Sequence, residues 1–525
     1  MLTYNLSPVK ITSKKLVFAA ALLLFFNSAS YAQKRNTFAT SSPEAAGVSA
    51  AGIDSFLNAV AKSKHEFHSF IFLRHGKVIA SGWWNPYQAT LRHSLYSCSK
   101  SFTSTAIGFA VSEKRITVND KVTSFFPGSL PDTIKPYLAA LTIKDLLTMT
   151  AGQDPDPTFS VVASRDDWVK SFLALPIVHK PGSQFLYNTL ATFMLSAIVQ
   201  KVTGEKVVDY LKPRLFDPLG IQGMDWEINK QEINTGGWGL RLKTEDLAKM
   251  GQLYLQKGVW NGKQLLPKEW IEEATTFKID QAPGADQSKK DASDWMQGYC
   301  YQFWRCRHNA FRADGAFGQY IVVMPDQDAV IAITSETSDM QGELDLVWKY
   351  LLPAMHPVAL SADPGSDTTL QNHLTALNLP PLKNTGNSAN SAFKKTFSIQ
   401  PNNLHISSIA FVITGNVCHF TLKKDSANYL LDFGNNKWIN GQTDLQGPGL
   451  VTAAREDFSF MAPYKIAGSF AWQDNETLQI KLRYIESPHA ETITFRFNQQ
   501  QLDADVAYSF NYGSNKIALH GEARK

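Results

Sequence analysis

Beyond about residue 392 the apolar residues fall into period two, and before it they mostly do not. In ETLQIKLRYI, Leu478, Ile480, Leu482 and Tyr484 alternate with Gln479, Lys481 and Arg483. In ETITFRF, Ile493, Phe495 and Phe497 alternate with Thr492, Thr494 and Arg496. Residues two apart share one face of a strand, so these runs bury one face of a sheet and wet the other. With HISSIAFVIT, CHFTLKK and NYLLDFG upstream, they predict an all-β domain, closed as a barrel or stacked as a sandwich. No repeat and no catalytic constellation stands out in it.

Ahead of this domain, SADPGSDTTLQNH and NLPPLKNTGNSANS are rich in Pro, Ser, Asn and Gly, the composition of a linker. Further upstream, FIFLRHGKVIASGWW predicts two strands around His75-Gly76. From Lys100 to about Lys278 the pattern is mostly helical. Thr142 with Asp145 predicts one capped helix start. Thr244 with Glu245 and Asp246 predicts another, carried on by Leu247, Met250 and Tyr254 and stopped at Gly258. Strand signals return in GYCYQFWRC and in QYIVVMPDQDAVIAITS, the latter broken at Pro325-Asp326. Strands therefore bracket a helical middle, and the simplest arrangement puts early and late strands in one antiparallel sheet with helices against it. The chain has 525 residues, 44% hydrophobic and 19% charged, which excludes a disordered protein and calls for more than one domain. The expected division is a signal peptide over 1–32, a mixed α/β domain over 33–358, a linker over 359–392 and a lipocalin-like barrel or sandwich over 393–525.

Lys10, Lys14 and Lys15 precede the apolar run LVFAAALLLFF, and SASYA follows before Gln33. That order predicts an exported protein, periplasmic or secreted, with cleavage near Ala32. The run is too short to span a bilayer, so no stable membrane anchor is expected. Losing three lysines and no acid takes the formal charge from +4 to about +1, which offers nothing for nucleic acid. The four cysteines, Cys98, Cys300, Cys306 and Cys418, are too few for a disulfide scaffold. Cys300 and Cys306 would lie roughly 20 Å apart in an extended strand, so isolated thiols are expected unless the chain turns back.

The chemistry concentrates in HSLYSCSKSFTSTA, His93 to Ala106. A serine nucleophile needs a base within hydrogen-bond reach. Residues three apart on a helix share a face, so Lys100 points with Ser97 and not with Cys98 or Ser99. A lysine serves as that base when burial lowers its pKa. Three Ser-x-x-Lys pairs occur. Ser7–Lys10 lies in the signal segment and Ser391–Lys394 at the linker's end; only Ser97–Lys100 opens an amphipathic helix, through Phe102, Ile107, Phe109 and Val111. Spacing alone leaves two readings open, a nucleophile or a hydroxyl-rich helix turn.

The order of YSCSKSFTSTAIGF, LTIKDLLTMTAG, PGSQFLYNTLATFMLSAIVQKVTGE, GGWGLRLKTEDLAKMGQLYLQKGVW and FRADGAFGQYIVVMPDQDAVIAITS resembles the penicillin-recognising serine hydrolases. The likeness is to the branch of class C β-lactamases, related esterases, D-aminopeptidases and 6-aminohexanoate-dimer hydrolases, over about residues 40 to 355. It implies an α/β (α+β) sandwich, an antiparallel sheet flanked by helices, with the active site beside an all-helical region. It implies that Ser97 is the nucleophile and Lys100 the proton acceptor. Tyr187 of the YNT segment would shuttle the proton, its phenolate favoured by the neighbouring lysine charge, with Asn188 and Thr189 beside it as substrate contacts. Thr189 departs from the asparagine usual in the family. The third motif departs further: Ala313, Asp314 and Gly315 stand where Lys-Thr-Gly or a His variant is usual, and Arg312 is one residue out of frame. The missing cation argues against efficient β-lactam or D-alanyl-D-alanine chemistry. The amides of Ser97 and Ala316 would form the oxyanion hole. The implied reaction is two-step hydrolysis of a small-molecule or short-peptide ester or amide, with neither metal nor cofactor.

His65 and His68 in HEFH lack the H-E-x-x-H register and read as solvated loop histidines. No G-x-S-x-G elbow exists. Trp83, Trp84, Trp238 and Trp304 fit either an aromatic-lined cleft or plain core packing. A β-lactamase or D,D-peptidase is the neighbouring alternative. A non-catalytic protein that kept the fold, its β-domain binding a glycan or lipid, is the alternative from another class.

Overall fold

The computed structural model describes residues 38–164, 166–385, 392–449 and 461–524. The expected signal peptide lies outside the described residues.

Two sheets carry the molecule. The first has seven strands in the order Ala39–Thr40, Lys77–Trp83, Glu66–Arg74, Ala329–Glu336, Gln319–Met324, Phe311–Gly315 and Trp304–Arg305. Every pairing but the short first one is antiparallel. The early hairpin thus zips directly onto a late strand, Phe70 opposite Ile333 and Phe72 opposite Ile331. Both central strands are buried along nearly their whole length, which explains their continuous apolar runs in place of alternation. Helices Ala50–Ala61 and Thr244–Leu255 pack against the sheet, and the Ser99–Ser112, Ile143–Leu147 and Thr189–Thr203 helices form the helical region beside it. The capping box of Thr142 and Asp145 forms as expected. Helix Thr244–Leu255 starts with Lys243 as its cap and Thr244 as its first residue.

The second sheet closes on itself. Of its ten strands from Ala392–Ile399 to Lys516–Ala523, nine close the ring through antiparallel pairings and Ile439–Thr443 adds to Tyr464–Trp472; the seam is a short parallel pairing of Gly434 with Ser469 and Asn435 with Phe470. Phe397, Phe411, Phe420, Phe433, Phe470, Trp472, Phe495 and Phe497 fill the interior, so period two resolves into a packed barrel.

Three expectations are corrected. The linker segment carries a 13-residue helix, Pro364–Ala376, capped by Asp363. Its Leu370, with Leu377 and Leu379, joins the core of the first sheet, so apolar burial outweighs the Pro/Ser/Asn composition. Helix Ser99–Ser112 is not amphipathic but buried on all sides as far as Ala110. Three of its hydroxyls bond to buried partners instead: Ser101 donates to the Gln302 carbonyl, Thr103 to that of Gly236, and Thr105 bonds with the Tyr254 hydroxyl. GYCYQFWRC is mostly a turn, with the Cys300 amide donating to the Phe303 carbonyl and only Trp304–Arg305 in the sheet. Cys98, Cys300, Cys306 and Cys418 are buried free thiols. No helix among the described residues is long and apolar enough to cross a membrane.

Candidate active site

Ser97 sits in the 3-10 turn Tyr96–Cys98, immediately before the buried helix. Within the stretch, Cys98, Ser99, Ser101 and Ser104 are buried, whereas Ser94 and Ser97 are half-buried. The Ser99 hydroxyl accepts from the Leu240 amide, so it is committed to the scaffold.

Lys100 is 2% exposed and aims its amine into the same corner. Nζ donates to Ser97 Oγ at 3.1 Å, to Thr189 Oγ1 at 3.2 Å and to the Gly237 carbonyl at 2.8 Å. It also lies 4.9 Å from the Tyr187 ring centre. Burial pushes the lysine pKa down to about 7, with Asp156 and Asp314 opposing the shift. Gly237 belongs to the GGWG segment; a Cβ there would press on Thr189 Cγ2 at 2.6 Å and on Nζ at 3.3 Å. Its missing side chain is what lets the carbonyl reach the amine.

Tyr187 stacks on Trp304, centroids 5.8 Å apart, and bonds with Ser97. The expected phenolate is corrected. Burial raises the hydroxyl's pKa, Asp314 adds to the rise, and the bond with Ser97 only partly offsets it. Desolvation together with Asp314 and Asp156 outweighs the Ser97 bond and Arg312, so the site favours the neutral phenol over the phenolate.

The remaining expected residues separate. Thr189 belongs to the site through its bond to Lys100. Asn188 does not face it freely: it is 2% exposed, caps helix Thr189–Thr203 by accepting from the Ala191 amide, and donates to Gln153 Oε1. Asn188 is a cap that holds the Tyr187–Thr189 segment in place, not the substrate contact the sequence implied. On strand Phe311–Gly315, side-chain alternation sets Ala313 and Gly315 on one face and Arg312 and Asp314 on the other. A Cβ on Gly315 would overlap the Leu95 carbonyl, so glycine lets this strand end abut the Ser97 turn. Ala313 offers only a methyl there. Arg312 is fully buried and donates through Nε to Asp314 at 2.9 Å, so the out-of-frame cation is neutralised by the next residue but one. Asp314 is likewise taken up within the protein. Ala316 follows the strand in the turn toward Gln319.

The HEFH histidines are corrected too. His68 is fully buried on strand Glu66–Arg74, stacked 3.9 Å from Tyr87 and bonded to His93 and Glu66. His65 bonds Thr337. Trp304 lines the site, while Trp84 packs in the core.

Comparison with known proteins gives the family of the chain. A family model described as Beta-lactamase matches residues 64–353, more than half of the chain. The 6-aminohexanoate-dimer hydrolase of Paenarthrobacter ureafaciens is 25% identical over 293 residues, covering 52% of this chain and 73% of that protein. Protein flp of Staphylococcus aureus strain MW2 is 27% identical over 138 residues, covering 25% of this chain and 28% of flp. An octameric penicillin-binding protein homologue from Pyrococcus abyssi has 16% identity and a TM-score of 0.45, with 89% of this chain and 99% of that chain covered. The family match takes in six of the seven strands of the first sheet, the buried helix and the Ser97 turn together, and by it the chain belongs to the beta-lactamase family, as a serine hydrolase.

Proposed function

We propose that Ser97 is the nucleophile of an ester or amide hydrolase, with Lys100 as proton acceptor and Tyr187 as relay. The observation that carries this is the buried Lys100 amine 3.1 Å from Ser97 Oγ, with its pKa near 7. Neutral Lys100 takes the Ser97 proton as Oγ attacks the substrate carbonyl. The amides of Ser97 and Ala316 bind the oxyanion, a contribution worth about 10² to 10³ in rate per donor in comparable enzymes. The proton passes, through the Tyr187 hydroxyl, to the departing alcohol or amine, leaving an acyl group on Ser97. Water then attacks the acyl carbon, its proton returns along the same groups, and the acid leaves.

Ala313 favours a small neutral ester or amide over a β-lactam, because no cation faces the Ser97 turn from that strand. Asn188, Thr189, Ala313, Asp314 and Gly315 shape the pocket, Thr189 and Ala313 by proximity and the others through the scaffold. The N-terminal pattern supports export, with the mature chain beginning at Gln33; N-terminal sequencing of the secreted or periplasmic protein reads this directly.

The test uses a fluorophosphonate probe and p-nitrophenyl acetate on the wild type and Ser97→Ala. Labelling and turnover by the wild type alone support the reading, and labelling of neither removes it. Nitrocefin turnover matching that of short esters would overturn the part assigned to Ala313.

A further inference from the structure

The barrel reaches the catalytic turn through one histidine. His489 lies just after barrel strand Thr477–Tyr484, before Ala490–Asn498, and is fully buried. Its Nε2 bonds the hydroxyl of Tyr96, the residue directly before Ser97. Its Nδ1 bonds Glu336 Oε1 at 2.7 Å, at the end of central strand Ala329–Glu336. Ser509, also of the barrel, donates to the same carboxylate oxygen at 2.8 Å. With Nδ1–H donating to the carboxylate, Nε2 is left to accept from the tyrosine, so a neutral imidazole satisfies both bonds.

The imidazole also touches the other side of the site. Phe317, directly after Ala316, meets it edge-on with centroids 4.8 Å apart, and Tyr96 lies 5.4 Å from Phe317. Phe510 of the barrel closes the cluster at 4.9 Å from His489. Both Tyr96 and Phe317 have left-handed backbones, φ 47° and 68°. Such conformations cost non-glycine residues about 1–3 kcal/mol and persist only where surrounding packing holds them. Here one barrel histidine contacts the side chains of both strained residues, each one step from an amide assigned to the oxyanion hole.

We infer that His489 is a positioning residue for catalysis. It holds the Tyr96–Ser97 and Ala316–Phe317 turns at the separation the reaction needs, which makes the barrel a working part of the hydrolase. This rests on the assignment of Ser97 as nucleophile.

Tyr96→Phe removes only the hydroxyl, His489→Gln can keep the bond to Tyr96, and His489→Ala removes the ring. For each, in the full chain, kcat and KM for p-nitrophenyl acetate and the rate of fluorophosphonate labelling are measured per folded molecule, with folding followed by near-UV circular dichroism. Tyr96→Phe and His489→Ala should each lower kcat and the labelling rate about 10- to 100-fold with KM within about twofold, since small misplacements of reacting groups cost that much. The double variant should be no slower than His489→Ala, and His489→Gln should recover part of the loss. Folded Tyr96→Phe and His489→Ala with wild-type kcat, additive losses, or a change confined to KM would overturn the inference. If His489→Ala does not fold, Tyr96→Phe and His489→Gln decide it by the same rates. A wild type that is not labelled overturns the Ser97 assignment and this inference together; a labelled wild type with unaffected variants overturns this inference only.

Discussion

At the scale of single residues, the site turns on how far burial alters a lysine. An exposed Lys100 would be an ammonium at neutral pH and useless as a base; buried, it gives up its proton at about 7. The rate of Ser97 acylation should therefore rise with pH through about 7 and then level, which kcat/KM across a pH series reads. The sign for stability is the same. Between about 7 and the ordinary 10.5 the unfolded chain holds a proton that the folded site does not, so stability rises with pH across that window. Lys100→Arg should abolish the rising limb together with activity, since a guanidinium stays charged. Gly315→Ala should cost about 1–3 kcal/mol by forcing the strand end off the Leu95 carbonyl, with a matching fall in labelling rate. The pairing of Ser97 with Lys100 was legible from spacing. The state of Tyr187 was not, because a pKa reports everything packed around a group and the sequence names only its chain neighbours.

Among the elements, strands and caps were the most readable and burial the least. The hairpin around His75-Gly76, the pair broken at Pro325-Asp326 and the Thr142 capping box all form. Each rests on local signals: turn residues, β-branched runs, a hydroxyl three residues before a carboxylate. Helix Ser99–Ser112 read as amphipathic because its serines and threonines look like a wet face, yet Ser101, Thr103 and Thr105 bond to backbone carbonyls and a tyrosine supplied by other elements. Asn188 illustrates the same limit, since a cap and a substrate contact call for the same residue type. Asn188→Ala should lower stability by about 0.5–2 kcal/mol, the usual cost of losing a side-chain cap, and should slow Ser97 labelling by letting Tyr187 and Thr189 shift. Thermal unfolding and labelling rate check the two halves, and a change confined to KM would restore Asn188 as a substrate contact.

Over the whole molecule, the barrel and the first sheet meet through an ion pair and a histidine hydrogen bond. Glu66 and Glu336 stand opposite each other on adjacent central strands, a like-charge pair at one edge of the sheet. The barrel answers both: Arg483 grips Glu66 through two bonds of 2.6 and 2.8 Å, and His489 takes Glu336. Burial would raise the Glu66 carboxyl, but Arg483 and His68 hold it well below its usual 4.5. Its contribution to stability is thus complete above about 4.5 and is lost as pH falls through the lowered value. Glu66→Gln should remove that acid limb and leave the 2%-exposed Arg483 unpaired, at a cost of about 3–5 kcal/mol in urea unfolding. A nearby cluster repeats the design, with Arg92 and Arg241 shared between Asp225 of the first domain and Glu486 of the barrel.

The sequence by itself determined which segments could become strands or helices, that period two would build a separate β-domain, and that one serine would face one lysine. Those properties follow from spacing along the chain, because residues three apart share a helix face and residues two apart share a strand face wherever that element ends up in the fold. Only the tertiary structure decided that Tyr187 is a neutral phenol, that Asn188 is a cap, that the linker carries a core helix and that a histidine 392 residues beyond Ser97 touches the turns on either side of it. Desolvation and charge pairing act through space, and nothing in the order of residues records which distant side chains will share a buried volume.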